Sequence, residues 1–195
     1  MTNRRADHPI EPLFIARWSP RAFTDAAVGE DQMMQLFEAA RWAPSSMNVQ
    51  PWRFLYAHRG TPDFERMVGV LMPGNQAWAK HAAVLMLCLS HRHLPAPHGN
   101  DPKPSHSHSF DAGSAWMSLA LQASRLGLAT HGMGGVDFPA AATEFAVPDD
   151  YRIECAIAVG HPGDKASLPD PLRKREAPSG RKPVADFASR GNFPG

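Results

Sequence analysis

Cysteine is almost missing from this chain: Cys88 and Cys155 are the only two in 195 residues. Both lie in apolar runs that read as strands, a setting for reduced, buried thiols, so a disulfide framework is excluded and a cytoplasmic protein is expected. No long apolar run exists either. The longest, Ala82 to Leu89, is too short to cross a bilayer, and the first twenty residues lack the apolar stretch of a secretory signal. No membrane partner is therefore expected. Charge of one sign is not in excess, with 20 basic against 19 acidic residues and a net charge of +1, so no overall field argues for nucleic acid. A G-x-G-x-x-G turn, an H-E-x-x-H pair and a recognisable Ser/His/Asp set are all absent, as is any internal repeat.

What is present is the composition of a globular protein, 43% hydrophobic and 20% charged, in a length that suits one domain over 1–195. Met33, Leu36, Phe37 and Ala40 recur at i, i+3, i+4, i+7 and predict an amphipathic helix from Glu30 to Ala43, which Pro44 ends. Trp52 to Ala57 and Ala83 to Leu89 read as buried strands with a helix near Asp63 to Leu71 between them. Leu128 to His131 and Ile153 to Val159 read as two more strands, separated by a short helix near Pro139 to Phe145. Phe110 to Leu126 predicts a helix whose only polar stripe is Asp111, Ser114, Ser118, Gln122 and Arg125, a pattern that belongs inside a protein or a subunit interface. The His- and Pro-rich stretch 94–109 reads as a loop, and 161–195 as an extended C-terminal arm. This order gives an α+β fold with a central mixed or antiparallel sheet of four or five strands flanked by helices.

Four clusters could carry chemistry, and each has a plainer reading. Arg17, Ser19 and Arg21 offer forked donors for a phosphate or a ring carbonyl, or form a surface arginine pair. Pro44, Ser45, Ser46, Asn48 and Gln50 can donate to and accept from a heterocycle edge, or cap a helix end. In Gly132-Met133-Gly134-Gly135 the missing Cβ atoms let a flat ligand approach backbone N–H groups, or merely make a turn. The basic run Arg173, Lys174, Arg175, Arg181 and Lys182 could close over a phosphate or be a solvated tail.

In combination these motifs resemble the FMN-dependent nitroreductase family: Arg17-x-Ser19-x-Arg21, then E-A-A-R-W-A-P-S-S-x-N-x-Q-P-W-x-F over Glu38 to Phe54, then G-L-x-x-x-x-M-G-G over Gly127 to Gly135. The resemblance covers roughly Ala16 to Lys182. It implies a nitroreductase-like fold in an intertwined homodimer, with non-covalent FMN at the interface. Arg17, Ser19 and Arg21, assisted by the Trp18 backbone, would hold the phosphate, ribityl chain and pyrimidine edge. Asn75 would touch the flavin, Met133, Gly134 and Gly135 would line it through backbone groups, and Arg181 would reach the phosphate. Pro44, Ser45, Ser46, Asn48 and Gln50 would come from the other subunit.

Two departures stand out. Gly134 occupies a place where many relatives carry an acidic side chain. Ser179 precedes Arg181 where a lysine is common, so either one phosphate cation is missing or Lys182 or Arg175 substitutes for it. A flavin would explain the absence of a side-chain catalytic set, because the cofactor carries the hard chemistry. The implied reaction is a ping-pong transfer from NADH or NADPH to a small organic acceptor. Two rivals remain: a flavin-storing protein of the same fold, and a metal site among His91, His93, His98, His106 and His108.

Overall fold

The computed structural model describes residues 4–95 and 101–193. A short helix α1 (Pro12–Ala16) leads into an extended segment, and α2 (Glu30–Arg41) follows. Gly29 precedes α2, and its N–H donates to the Gln32 side chain at 3.1 Å, the half of a capping box that a glycine permits. Met33, Leu36 and Ala40 of α2 are buried, as their spacing requires.

Four strands, β1 (Trp52–His58), β2 (Val84–His91), β5 (Ala129–Met133) and β6 (Tyr151–Gly160), form one sheet in the order β1-β2-β6-β5, antiparallel throughout. Strand β2 is apolar without alternation because both its faces are covered. Leu85, Leu87 and Leu89 point into the core beneath α3 (Pro62–Gly69), α4 (Pro73–Ala79) and α6 (Phe138–Glu144). Val84, Met86 and Cys88 point into a second core beneath α2 and α5 (His108–Arg125). Cys88 and Cys155 face each other across β2 and β6 as free thiols.

The helix starts follow local chemistry. Pro62, Pro73 and Pro139 fill first-turn positions where a missing N–H costs nothing. Thr61 and Asp137 accept from Phe64 N and Ala140 N as N-caps.

Three expectations need correction. The stretch 94–109 is not one loop: His93–Leu94 (β3) pairs with Lys103–Pro104 (β4), and its last residues already open α5. The polar stripe on α5 holds except at its start: Ser114, Ser118 and Gln122 are half-exposed and Arg125 exposed, but Asp111 is 4% exposed, while the apolar Phe110 is 78% exposed. The arm 161–195 is broken by short helical turns at Lys165–Ser167, Asp170–Arg173 (α7) and Val184–Asp186.

Candidate functional site

The segment after α1 is extended, with Arg17 at φ −63° and ψ 127°, so side chains alternate along it. Arg17 Nη1 lies 3.4 Å from Ser19 Oγ, and both are half-buried, as is Trp18. Pro20 between them and Arg21 is buried, and its carbonyl lies 3.0 Å from His131 Nδ1. A carbonyl only accepts, so His131 carries its proton on Nδ1. Burial pushes the His131 pKa below its ordinary value, with the Pro20 carbonyl opposing. The His131 ring packs 4.6 Å from Trp78, and the Arg21 guanidinium lies 6.0 Å from the same indole.

Arg21 is held from the far end of the chain. The buried Glu176 carboxylate accepts from Arg21 N at 2.5 Å and Ala22 N at 3.0 Å, and its other oxygen is 3.5 Å from Arg21 Nη1. Arg4 does similar work for Arg17. It donates to Ile15 O at 2.9 Å, Arg17 O at 2.8 Å and Ser179 O at 2.8 Å, tying the end of α1 to the C-terminal arm.

Three guanidiniums thereby gather. The pKa of Arg17 is lowered by burial and then by Arg181, and that of Arg4 by burial, Arg181 and Arg17. Among the described residues none of the three is in an ion pair. Arg181 instead donates to Ser179 and Gly180 of its own turn. Like charges are thus brought together with no carboxylate paired to them among the described residues, although Asp7 lines the same cleft as Arg4 and Arg181. Lys182 borders a 650 Å³ cleft that Arg4 and Arg181 also line, and Arg175 is exposed outside it.

At the end of β5 the backbone is laid open. Gly135 O accepts from Met72 N at 3.0 Å and Asn75 Nδ2 at 3.1 Å. A Cβ on Gly135 would stand 2.6 Å from Asn75 Nδ2, whereas one on Gly134 would meet nothing within 4 Å. Met133 as a whole is 3% exposed and belongs to the core, so the accessible backbone at this end of β5 is that of Gly134 and Gly135.

Pro44 to Gln50 form a separate group. Met47, Asn48 and Gln50 have φ of 52°, 56° and 52°, a left-handed conformation that costs about 1–3 kcal/mol at a non-glycine residue. The loop is pinned by its own bonds and by α5. Gln50 N donates to Ser45 Oγ, Gln50 Nε2 to Asn48 Oδ1, and Ser46 N to the buried Asp111 carboxylate at 3.2 Å. Pro44, Ser46, Asn48 and Gln50 remain exposed and Ser45 half-exposed.

The structure does not bring this loop to the first group. The loop precedes β1 and Gly134–Gly135 follows β5, the two edges of the sheet, about 14 Å apart at strand spacing. No hydrogen bond among the described residues joins the two groups. Sequence reasoning missed Arg4, Glu176, His131 and Asp111, which become visible only through contacts distant in sequence.

The histidines do not converge. His91 binds Asp150 and the His93 carbonyl, His108 binds Ser90, and His98 lies outside the described residues. Among the described residues no three His, Cys, Asp or Glu side chains could hold a metal ion together, and no helix is long and apolar enough to cross a membrane.

The nitroreductase family profile matches residues 15–66 and 59–161. The chain belongs to the nitroreductase family. A Streptomyces coelicolor relative, provisionally named an NADH dehydrogenase/NAD(P)H nitroreductase, is 30% identical over 167 residues, covering 77% of this chain and 81% of the relative. A solved structure described as an oxidoreductase containing FMN is 46% identical, with a TM-score of 0.95 over 99% of this chain and 97% of that one. A nitroreductase solved in complex with FMN from Desulfovibrio desulfuricans is 26% identical, with a TM-score of 0.72 over 97% and 100% of the two chains. The antiparallel sheet with helices on both faces is the fold of this family.

Proposed function

We propose that this protein is an FMN-dependent oxidoreductase that passes electrons from NADH or NADPH to a small organic acceptor by a ping-pong mechanism. The observation that carries the reading is the arginine cluster, continuous through the extended segment Arg17–Arg21 with the open glycine backbone. A phosphate beside Arg4, Arg17 and Arg181 neutralises them. Ser19 and Arg21 then face the ribityl chain and pyrimidine edge, and Asn75, Gly134 and Gly135 face the flat ring through one amide and bare backbone. The open space beside Gly134 leaves room for a planar group, while Gly135 needs its missing Cβ to let Asn75 pack against it. When bound, FMN supplies the hydride and electron transfer that no side chain here offers. The protein positions it, keeps one face open and admits NAD(P)H and the acceptor in turn.

The strained Pro44–Gln50 loop is tied to its own chain through Ser46 N and Asp111, yet Pro44, Ser46, Asn48 and Gln50 stay exposed. In a homodimer it completes the site of the other subunit, and α5 supplies an interface through its exposed Phe110 and Met117. We read 1–195 as one unit working in the cytoplasm, with a nitroaromatic, quinone, enal or nitrogen heterocycle as acceptor. The test is the absorption spectrum of the purified protein, followed by NAD(P)H oxidation with an added quinone. A flavin spectrum with turnover is expected. A flavin spectrum without turnover of any acceptor means storage and overturns the enzymatic reading, and a colourless protein that takes up no FMN overturns both.

A further inference from the structure

Away from these residues, a 670 Å³ cleft opens where α6 and the start of β6 meet the start of α5. Behind it lies a part-buried polar relay, anchored on the buried Ser90, that the proposed flavin chemistry does not use. Ser90, 0% exposed, donates its hydroxyl hydrogen to Glu154 Oε1 at 2.5 Å, and Ser109 Oγ donates to the same oxygen at 2.7 Å. Arg152 Nε lies 3.4 Å from Glu154 Oε2, so the carboxylate faces three donors. His108 Nδ1 is 2.7 Å from Ser90 Oγ and 3.4 Å from Ser109 Oγ. Each hydroxyl has already spent its one hydrogen on Glu154, so the imidazole must be the donor and Nδ1 carries the proton. The tautomer is thereby fixed. Nε2, across the ring from the Nδ1 contacts to Ser90 and Ser109, is left with a bare lone pair on a residue that lines the cleft, and burial favours this neutral form.

We propose that this cleft is a second ligand site, for a small aromatic monocarboxylate that also carries a hydroxyl group. An acceptor-only Nε2 selects a donor on the ligand and cannot bond a carboxylate. Arg92 and Arg152, which line the same cleft, select the carboxylate, and Asp149 beside them disfavours a second negative charge. Phe138, Val147 and Tyr151 provide an apolar wall for a ring. The volume is in the ordinary range for small-molecule sites. None of the lining residues belongs to the proposed flavin-binding set.

The test titrates the protein as purified with its cofactor, by calorimetry, with 6-hydroxy-2-naphthoate, 2-naphthoate and 2-naphthol. The hydroxynaphthoate is expected to bind once per chain, and removing either polar group should weaken it about tenfold or more, the worth of one good charged or oriented hydrogen bond. In His108→Phe the preference for the hydroxyl should vanish while that for the carboxylate stays, and Arg152→Gln should do the reverse. Ser90→Ala, which frees the tautomer, should lose part of the hydroxyl preference. Absence of saturable binding, equal binding of all three compounds by the wild type, variants that keep both preferences, or release of the purified cofactor on titration would each overturn the proposal. The wild-type comparison stands even if a variant fails to fold, and a failed flavin assignment leaves the titration unaffected.

Discussion

Glu176 closes over the backbone of Arg21 from a position 155 residues later, accepting Arg21 N at 2.5 Å and Ala22 N at 3.0 Å with one buried oxygen. The C-terminal arm is thus wired into the segment proposed to read the flavin, and loss of this carboxylate leaves two N–H groups without an acceptor. Buried unsatisfied groups cost about 1–3 kcal/mol each. Glu176→Ala is expected to lose about 2 kcal/mol or more, roughly 4–8 °C in Tm for a chain of this size, and to bind FMN more weakly. Glu176→Gln keeps an oxygen there and should lose less. Melting curves that rank the two variants the other way would refute this role.

The arginine cluster makes a sharper forecast, because FMN and riboflavin differ only in the phosphate. Arg17→Ala and Arg181→Ala each remove charge-assisted bonds of about 1.5–3 kcal/mol, which is about one to two decades of affinity. Riboflavin affinity should hardly move. Arg4→Ala should weaken FMN as well, through the lost ties to Ile15, Arg17 and Ser179. Equilibrium dialysis against both flavins decides the matter. Equal losses for the two flavins would show that the cluster does not hold a phosphate.

Much of this architecture is legible in the chain before folding. The α2 stripe, the four sheet strands and the Pro44–Gln50 turn are written in local periodicity and turn residues, which is why their positions hold. Arg4, Glu176 and His131 are silent because their partners lie 175, 155 and 111 residues away. Asp111 misleads for another reason: spacing assigns it to a polar stripe, but its carboxylate turns inward to Ser46 N and Ser107 Oγ. The β3–β4 ladder is hidden by the prolines around it, and Pro104 itself stands in it.

His131 gives the fold a pH dependence of definite sign. Burial holds its pKa below the ordinary 6.5, so the unfolded chain accepts a proton that the folded one resists. Stability is therefore unaffected well above pH 6.5, falls as the pH drops through it and levels off below the depressed folded value. His131→Asn retains an N–H for the Pro20 carbonyl and removes the titration. Its Tm should fall less than that of the wild type between pH 7.5 and 5.5, and parallel curves would mean that His131 carries none of the dependence.

The last prediction concerns the division of the site. Arg21 and Asn48 belong to groups flanking opposite edges of one sheet, and no hydrogen bond among the described residues joins them. If two subunits share each flavin, then a cofactor that binds only the dimer stabilises the dimer, and dilution should release FMN and dissociate subunits together. Arg21→Ala and Asn48→Ala, prepared separately, should both lose most of their quinone reduction. Mixed under conditions that exchange subunits, they form a heterodimer in which one site carries both lesions and the other carries none. Activity should return towards one quarter of the wild-type level, since about half of randomly assorted dimers are mixed and each mixed dimer holds one intact site of two. Native mass spectrometry counts the heterodimers independently of activity. Heterodimers that form in that proportion and stay inactive would place both groups in a site built from one chain, and the loop from Pro44 to Gln50 would then need another explanation for its strain.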